Sequence, residues 1–225
     1  MVEPETGETS INKMPVDRRK MDRRDQIIDA TTRLLGKIGL EGLTVRAVLN
    51  ETGINRRSYY EHFSGKDELA LAVLAKSVEM TAQDCRESIR GVDDPFERLR
   101  ILINLIASGY RISGEDREVA RRRGASLARE QIRLAEAYPK HLDAALEPLL
   151  ALICRIIGEG VERGQMRQRA PERLAKFVYS LLSTAVIAEL LADAPDAGSL
   201  ARRKVLAEEI WEFCHGALLP TALTD

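Results

Sequence analysis

Residues 27–69 contain short helical segments that are separated by capping residues and glycines. Apolar residues recur at helical spacing over 27–38, and Gly39 follows them, which predicts a helix that ends at this glycine. Thr44 is a favourable first cap for a helix over 45–52, and Gly53 ends that second helix. Helices this short need partners, so the segment predicts a small, tightly packed bundle.

A third helix follows the second after a tight turn. Asn55 caps this helix, which we expect to run to about Phe63. Ser64 with Asp67 three residues later predicts a capping box for a long fourth helix towards Arg90. Two short helices joined by a tight turn predict a helix-turn-helix, in which the second helix enters the major groove of DNA.

Cations and aromatic rings are concentrated in this third helix and its flanks, GINRRSYYEHFSGKDEL. Arg56 and Arg57 lie in its first turn, where each guanidinium can donate to two acceptors of guanine. Side chains further along are placed to bond phosphate oxygens, and Lys66 also lies at the start of the fourth helix. The predicted DNA contacts are Thr44, Arg46, Asn55, Arg56, Arg57, Ser58, Tyr59, Tyr60, His62 and Lys66.

Each of these residues has a simpler interpretation. The two arginines are also compatible with a solvated charge pair, and Tyr59 is as compatible with the bundle core as with DNA. His62 fits a local cap or a metal ligand, although His141 and His215 are far away in the sequence. Phe63 is expected in the core.

The distribution of charge agrees with a polyanion partner for this one segment. The whole chain has a net charge of −1, whereas residues 17–66 contain 11 Lys and Arg against 7 Asp and Glu. A local excess of positive charge attracts nucleic acid without making the whole protein basic.

Longer helices follow Gly91, and the chain shows no strand pattern, repeat or low-complexity segment. The fold class is therefore predicted as all-α. Pro148 lies inside one of these helices, where we expect a kink or a break. The predicted helices cover residues 95–114, 115–138, 139–163, 171–192 and 199–218.

Residues 24–69 resemble the DNA-binding domain of the TetR/AcrR family of transcriptional regulators. The resemblance rests on IIDATTRLLGKIGLEGLTV, on the turn TGIN and on SYYEHFSGKDEL, which is similar to the family's aromatic-x-HF-x-x-K-x-x-L signature. The later segment GEGVERGQMRQRAPERLAKFVYSLL has the style of the family's late helices. The signature covers about a fifth of the chain and is specific in order and spacing.

The resemblance implies a homodimeric repressor that binds a pseudo-palindromic operator and is released by a small apolar effector. It implies an N-terminal three-helix helix-turn-helix domain over 21–67, a C-terminal helical ligand-binding and dimerisation domain over 68–225, and dimerisation through 171–218. The apolar stripes over 171–192 and 199–218 suit this packing, although a monomer core would show the same period. Residues 1–20 are predicted to be a disordered arm.

An apolar effector pocket is expected in the middle helices, with Pro148 shaping one wall. Polar-tipped side chains on these helices are candidates to line it. The candidates are Tyr110, Arg129, Tyr138 and His141. A protein partner as the effector, acting on the same fold, is the alternative to a small molecule.

Catalytic and cofactor signals are absent from the sequence. It contains no GxSxG motif, no phosphate-binding glycine loop and no metal-ligand spacing, so we expect neither an enzyme nor a cofactor or metal. The three cysteines lie far apart and favour a reducing cytoplasm. We also expect no apolar run near the roughly 18 residues of a membrane span.

Overall fold

The computed structural model describes residues 16–108, 116–192 and 199–220. Within these ranges the chain is helical with short turns and has no strand, which confirms the all-α fold. The first helix begins inside the segment predicted as a disordered arm. The helices are α1 (Val16–Ile38), α2 (Val45–Thr52), α3 (Arg56–Tyr60), α4 (Lys66–Ser88), α5 (Pro95–Ser108), α6 (Arg117–Ala137), α7 (Pro139–Glu162), α8 (Pro171–Ala192) and α9 (Ser199–Leu218).

The predicted helix bounds agree with the structure at α2, α8 and α9 but not at α3. α3 ends at Tyr60, and a turn follows in which the N–H groups of His62 and Phe63 both donate to the Tyr59 carbonyl oxygen, at 3.0 Å each. α7 continues through Pro148, so the chain is not broken at this residue.

We call α1–α3 with the first turns of α4, residues 23–73, the head. Its core extends into α4, because Leu69 and Val73 pack in it, so the packed unit passes the boundary predicted at residue 67. Each large apolar side chain buried here contributes about 1.5–3 kcal/mol. The core residues are Ile27, Ile28, Leu34, Leu35, Leu43, Val48, Tyr59, Phe63, Leu69 and Val73.

We call the remaining helical part, residues 74–220, the body. Its core is a second apolar cluster, centred on α7, which packs against α4, α5 and α8. The largest fully buried side chains of α5 and α7 meet in this cluster, so these two helices have little freedom to shift. They are Leu99, Leu102, Ile103, Ile153, Ile156 and Ile157.

α6 lies between the head and α8. On one side it packs against α1, and Leu127 contacts the head core. On the other side a Cβ placed on Gly124 would lie 3.3 Å from Leu190 of α8, and Gln131 Nε2 donates to the Tyr179 hydroxyl at 3.3 Å. α6 thus contacts both α8 and the head.

α8 and α9 expose large apolar side chains. Phe177 is 64% exposed and Phe213 is 68% exposed, whereas Leu182 and Ile210 are buried in the body. α8 is also long and apolar enough to cross a membrane by length and composition, with 22% of its most apolar window buried. The expectation that no apolar run approaches the length of a membrane span is therefore wrong for α8. The apolar side chains on the outer face of α8 and α9 are exposed to solvent.

Gly160 offers a test of the packing at the end of α7. A Cβ at Gly160 would lie 2.6 Å from the sulfur of Met166, which is itself buried and has little room to move. We expect Gly160→Ala to lower the free energy of unfolding by about 1–3 kcal/mol in urea titrations. Gly158→Ala, on the same helix with only ordinary contacts to Pro171, is the matched control and should be neutral or stabilising. Equal stability of the two variants would contradict the packing described here.

Candidate nucleic-acid interface

α2 is held at both ends by the residues that the sequence suggested. The Thr44 hydroxyl accepts a hydrogen bond from the Ala47 N–H at 3.1 Å, and the Gly53 N–H donates to the Leu49 carbonyl. Gly53 has a φ of 68°, in the left-handed region that glycine adopts without strain. This turn directs the chain from α2 into α3. Arg46 lies exposed in the first turn of α2.

α3 has only five residues and is capped by Asn55. The Asn55 side-chain oxygen accepts from the Ser58 N–H at 2.8 Å, which satisfies one of the free donors at the start of the helix. Because side chains rotate by about 100° per residue, α3 divides sharply into two faces. Ser58 and Tyr59 are buried, and Arg56, Arg57 and Tyr60 are exposed.

The two arginines of α3 are held only by weak local contacts. Arg57 is 91% exposed, and its Nε pairs with Glu61 one turn later at 3.3 Å. The Arg56 guanidinium carbon lies 5.7 Å from the centre of the Tyr60 ring. Exposed pairs of this kind contribute about 0–1 kcal/mol, so both guanidinium groups are available to another partner.

Tyr59 is a core residue, which corrects its prediction as a DNA contact. Its side chain is 0% exposed, and its ring packs 6.0 Å from that of Phe63 and edge-on to Tyr60 at 5.2 Å. Its hydroxyl has no hydrogen-bond partner in the described part of the chain, and burial raises its pKa. Ser58 is also buried, and its hydroxyl accepts from Arg23 at 3.3 Å.

The start of α4 completes this surface. Lys66 is exposed as the first residue of the helix, and His62 is half-buried in the preceding turn. The N-cap of α4 is Gly65 rather than Ser64, and none of the described side chains caps it. Ser64 instead bonds to Glu68 and not to the predicted Asp67, since both its N–H and its hydroxyl donate to Glu68 Oε2 at 2.8 Å. These bonds lower the pKa of Glu68.

Two arginines of α1 belong to the same surface and were missed by the sequence prediction. Arg23 contacts Ser58 of α3, and the Arg24 guanidinium carbon lies 5.1 Å from the centre of the Phe63 ring. Both are exposed. The available signal was the run DRRKMDRRD just before the buried stripe of α1. Arg23 and Arg24 of α1 therefore lie beside α3 and the turn that follows it.

The predicted effector residues do not gather around a described cavity. Tyr110 lies outside the described residues, and Arg129 and His141 are exposed on α6 and α7. The Tyr138 hydroxyl donates to Asp67 at 2.9 Å, so its polar tip contacts the head.

An apolar cavity of about 430 Å³ lies instead between α8 and α9. It opens on the exposed face of these helices rather than in the middle of the body, where the sequence placed it. The lining comprises Arg167, Arg169, Ala170, Arg173, Leu174, Phe177, Val178, Leu181, Phe213, Cys214, Ala217 and Leu218.

The cysteines have the character of packed apolar residues. Burial raises the pKa of Cys85 to about 12 and that of Cys214 to about 11, and it also raises the pKa of Cys154. A thiol with a raised pKa is a poor nucleophile at neutral pH. In the described ranges no three His, Cys, Asp or Glu side chains are grouped to hold a metal ion.

A short exposed helix bearing cations, fixed by a glycine turn against two further helices, is the arrangement of a helix-turn-helix DNA-binding protein. Residues 27–73 match the family described as bacterial regulatory proteins, tetR family. This match assigns the head to the DNA-binding domain of that family, and the relatives reported next extend the similarity to transcriptional regulators over most of the chain.

Two relatives and one solved structure illustrate the similarity. The transcriptional regulator BetI of Brucella canis is 27% identical over 184 residues, covering 79% of this chain and 85% of BetI. The transcriptional activator FasR of Mycolicibacterium smegmatis is 26% identical, covering 72% of this chain and 71% of FasR. FadR of Bacillus subtilis, solved with stearoyl-CoA, shares the fold with a TM-score of 0.67 at 16% identity, covering 84% of this chain and 96% of FadR.

Proposed function

We propose that the protein is a homodimeric repressor that binds a pseudo-palindromic operator through α3 and leaves it when a small effector binds the body. The observation that carries this proposal is the two-faced α3, which buries Tyr59 and presents Arg56 and Arg57 to solvent. The cytoplasm, where the DNA is, is the proposed compartment, and we propose no enzymatic activity.

The exposed residues of the head divide by chemistry into two proposed roles. Arg56 and Arg57 lie in the first turn of α3, the part of a recognition helix that reaches base edges. Tyr60 and Lys66 lie further along the same surface, where a hydroxyl and an ammonium suit phosphate oxygens. Arg24 of α1 borders this surface and is proposed to bind phosphate as well.

The capping residues have an indirect role in this proposal. The side-chain oxygens of Thr44 and Asn55 are used in capping hydrogen bonds, and the Ser58 hydroxyl accepts from Arg23. Thr44 and Asn55 are exposed, so a phosphate or base contact through a second lone pair or the amide NH₂ remains part of the prediction.

Substitutions on the two faces of α3 should separate these roles. Arg57→Ala should cost about 1–3 kcal/mol at the operator and relax the preference at one base per half-site, because a bidentate base contact is lost. Lys66→Ala should weaken binding to every duplex and reduce the salt slope by about 1, since one phosphate contact disappears. The measurement is binding to an operator, selected in vitro from random duplexes, and to random duplex across a salt series.

Tyr60→Phe and Tyr59→Phe form a matched pair for the same assay. Both remove a hydroxyl, but only the hydroxyl of Tyr60 is exposed to a phosphate. We expect Tyr60→Phe to weaken binding to all duplexes and Tyr59→Phe to leave binding unchanged. Wild-type binding by the Arg57, Lys66 and Tyr60 variants, each folded and dimeric, would show that this surface does not read DNA.

Dimerisation through 171–218 is proposed from the apolar face of α8 and α9. Two copies would cover Phe177 and Phe213 with each other's helices, in a four-helix arrangement. To reach successive major grooves on one face of the duplex, the two heads of such a dimer would have to lie about 34–36 Å apart. Leu181 lies on this same exposed face, whereas Ile210 is buried within its own subunit.

Phe213→Glu should convert the dimer into a folded monomer at micromolar concentration, because it places an unpaired charge in the interface. Light scattering gives the mass, and circular dichroism checks that the helices remain. Ile132→Glu on α6 is the control, since Ile132 is also exposed, at 53%, but lies outside α8 and α9. A Phe213→Glu dimer as stable as the wild type would exclude this face as the interface.

The effector is proposed to be a small molecule with an apolar portion. Support comes from the solved FadR complex with stearoyl-CoA, which shows that this fold holds a ligand with a long apolar chain. A pocket in the middle of the body stays a prediction, with Arg129 and His141 as candidate contacts. A protein partner remains the alternative effector, and the name of FasR makes activation the alternative to repression.

Linkage gives a test that does not require the effector to be known in advance. Apolar small molecules that raise the thermal unfolding temperature should also lower the affinity for the operator. Saturating operator should reduce the affinity for the same molecule by the same factor, because the coupling free energy is reciprocal. Molecules that bind without changing operator affinity would favour the protein-partner alternative.

A further inference from the structure

The carboxylate of Asp67 joins the head to the body at one point. Asp67 is the second residue of α4 and directly follows the helix-turn-helix. One carboxylate oxygen accepts from Arg133 of α6 at 2.8 Å, and the other accepts from the Tyr138 hydroxyl at 2.9 Å. These two hydrogen bonds lower the pKa of Asp67, which therefore stays ionised at neutral pH.

Both donors are fixed to the body. The Arg133 guanidinium also donates two hydrogen bonds, of 3.0 and 2.7 Å, to Glu130, whose side chain is only 5% exposed. The Tyr138 N–H donates to the Leu134 carbonyl at 2.8 Å, and Tyr138 is the residue that links α6 to α7. The Arg133 side chain is thus anchored to a buried carboxylate of the body, and the Tyr138 ring extends from a residue whose backbone is fixed there.

The same helix contacts the head at two further points. Near its start, Arg122 Nη1 donates to the Lys37 carbonyl at the end of α1, at 2.7 Å. Leu127, between the two polar contacts, packs on the head core. A displacement of the head, which includes the first turns of α4, relative to α6 would therefore break the hydrogen bonds at Asp67, which lies at the far end of this contact line.

We propose that Asp67, Arg133 and Tyr138 are positioning residues that fix the angle of the head on the body, and with it the half-site spacing that the dimer prefers. The inference rests on the proposed function, since spacing has meaning only for a dimeric DNA reader. A head held at a fixed angle favours one half-site spacing, because the conformational entropy of orienting the head is lost on folding rather than on DNA binding. A released head accommodates other spacings and loses affinity for the preferred one.

The test uses an operator that the wild-type protein selects from random duplexes. Affinity is measured for this operator and for versions with one or two base pairs inserted between its half-sites. The spacing ratio is the affinity for the selected operator divided by the affinity for an inserted version. Tyr138→Phe and Asp67→Asn should each reduce this ratio about threefold or more. Substitutions of residues that couple two parts of a protein have effects of this size.

Matched controls separate positioning from general effects. Tyr179→Phe removes a body hydroxyl that contacts Gln131 and not the head. Glu51→Gln removes one negative charge from the head, where Glu51 pairs with Arg33 at 3.6 Å and Lys37 at 3.4 Å, both on α1. Both controls should keep the wild-type ratio, and Asp67→Asn should differ from Glu51→Gln although the change in charge is the same.

The possible results distinguish a failure of the proposed DNA-binding function from a failure of the positioning role. A wild-type protein that prefers no duplex over random DNA contradicts the proposed function itself. A wild-type protein that binds its operator without a spacing preference, or variants that keep the wild-type ratio, contradict only the positioning role. A loss of thermal stability with an unchanged ratio shows a purely structural contact and overturns the inference as well.

Discussion

The burial of the Tyr59 ring is the interaction on which the proposed DNA-binding surface depends. A helix of five residues is too short to be stable on its own, because nucleation costs more than so few hydrogen bonds return. α3 is held instead by Tyr59 and by Phe63, the ring that packs beside it in the head core. Because Tyr59 fixes one face of α3 against the core, Arg56 and Arg57 on the other face point towards solvent. The orientation of the charged groups is thus a consequence of apolar packing.

Much of the fold was predictable because its signals are local. The Thr44 and Asn55 caps and the glycine that follows α2 act within three or four residues, and the observed hydrogen bonds are the ones those residue types form. The predictions fail where the hydrogen-bond partner of a side chain comes from a part of the sequence that is far away. Asp67 was assigned to a capping box from its spacing, but Arg133 and Tyr138 of the body bind its carboxylate, and Ser64 donates to Glu68 instead.

The face of a residue was harder to predict than its helix. Tyr59 and Phe63 are four residues apart and lie on the same side, so the helical period was consistent with a buried Tyr59. The hydroxyl of Tyr59 nevertheless led to its prediction as a DNA contact. In α8 and α9, periodicity identifies apolar positions but cannot tell a core from an interface. The structure shows which of these positions are buried within the subunit, Leu182 and Ile210, and which are exposed, Phe177 and Phe213. Arg23 and Arg24 were missed because their proximity to α3 is purely tertiary.

The outward-facing phenylalanines of α8 and α9 have a consequence for gene control. If two copies must meet to cover them, operator occupancy depends on the abundance of the regulator as well as on its effector. Below the dimer dissociation constant, the concentration of dimers follows the square of the subunit concentration, so a twofold fall in synthesis lowers it about fourfold. The regulator would then report its own dosage, and cell growth that dilutes it would act as a second signal for derepression.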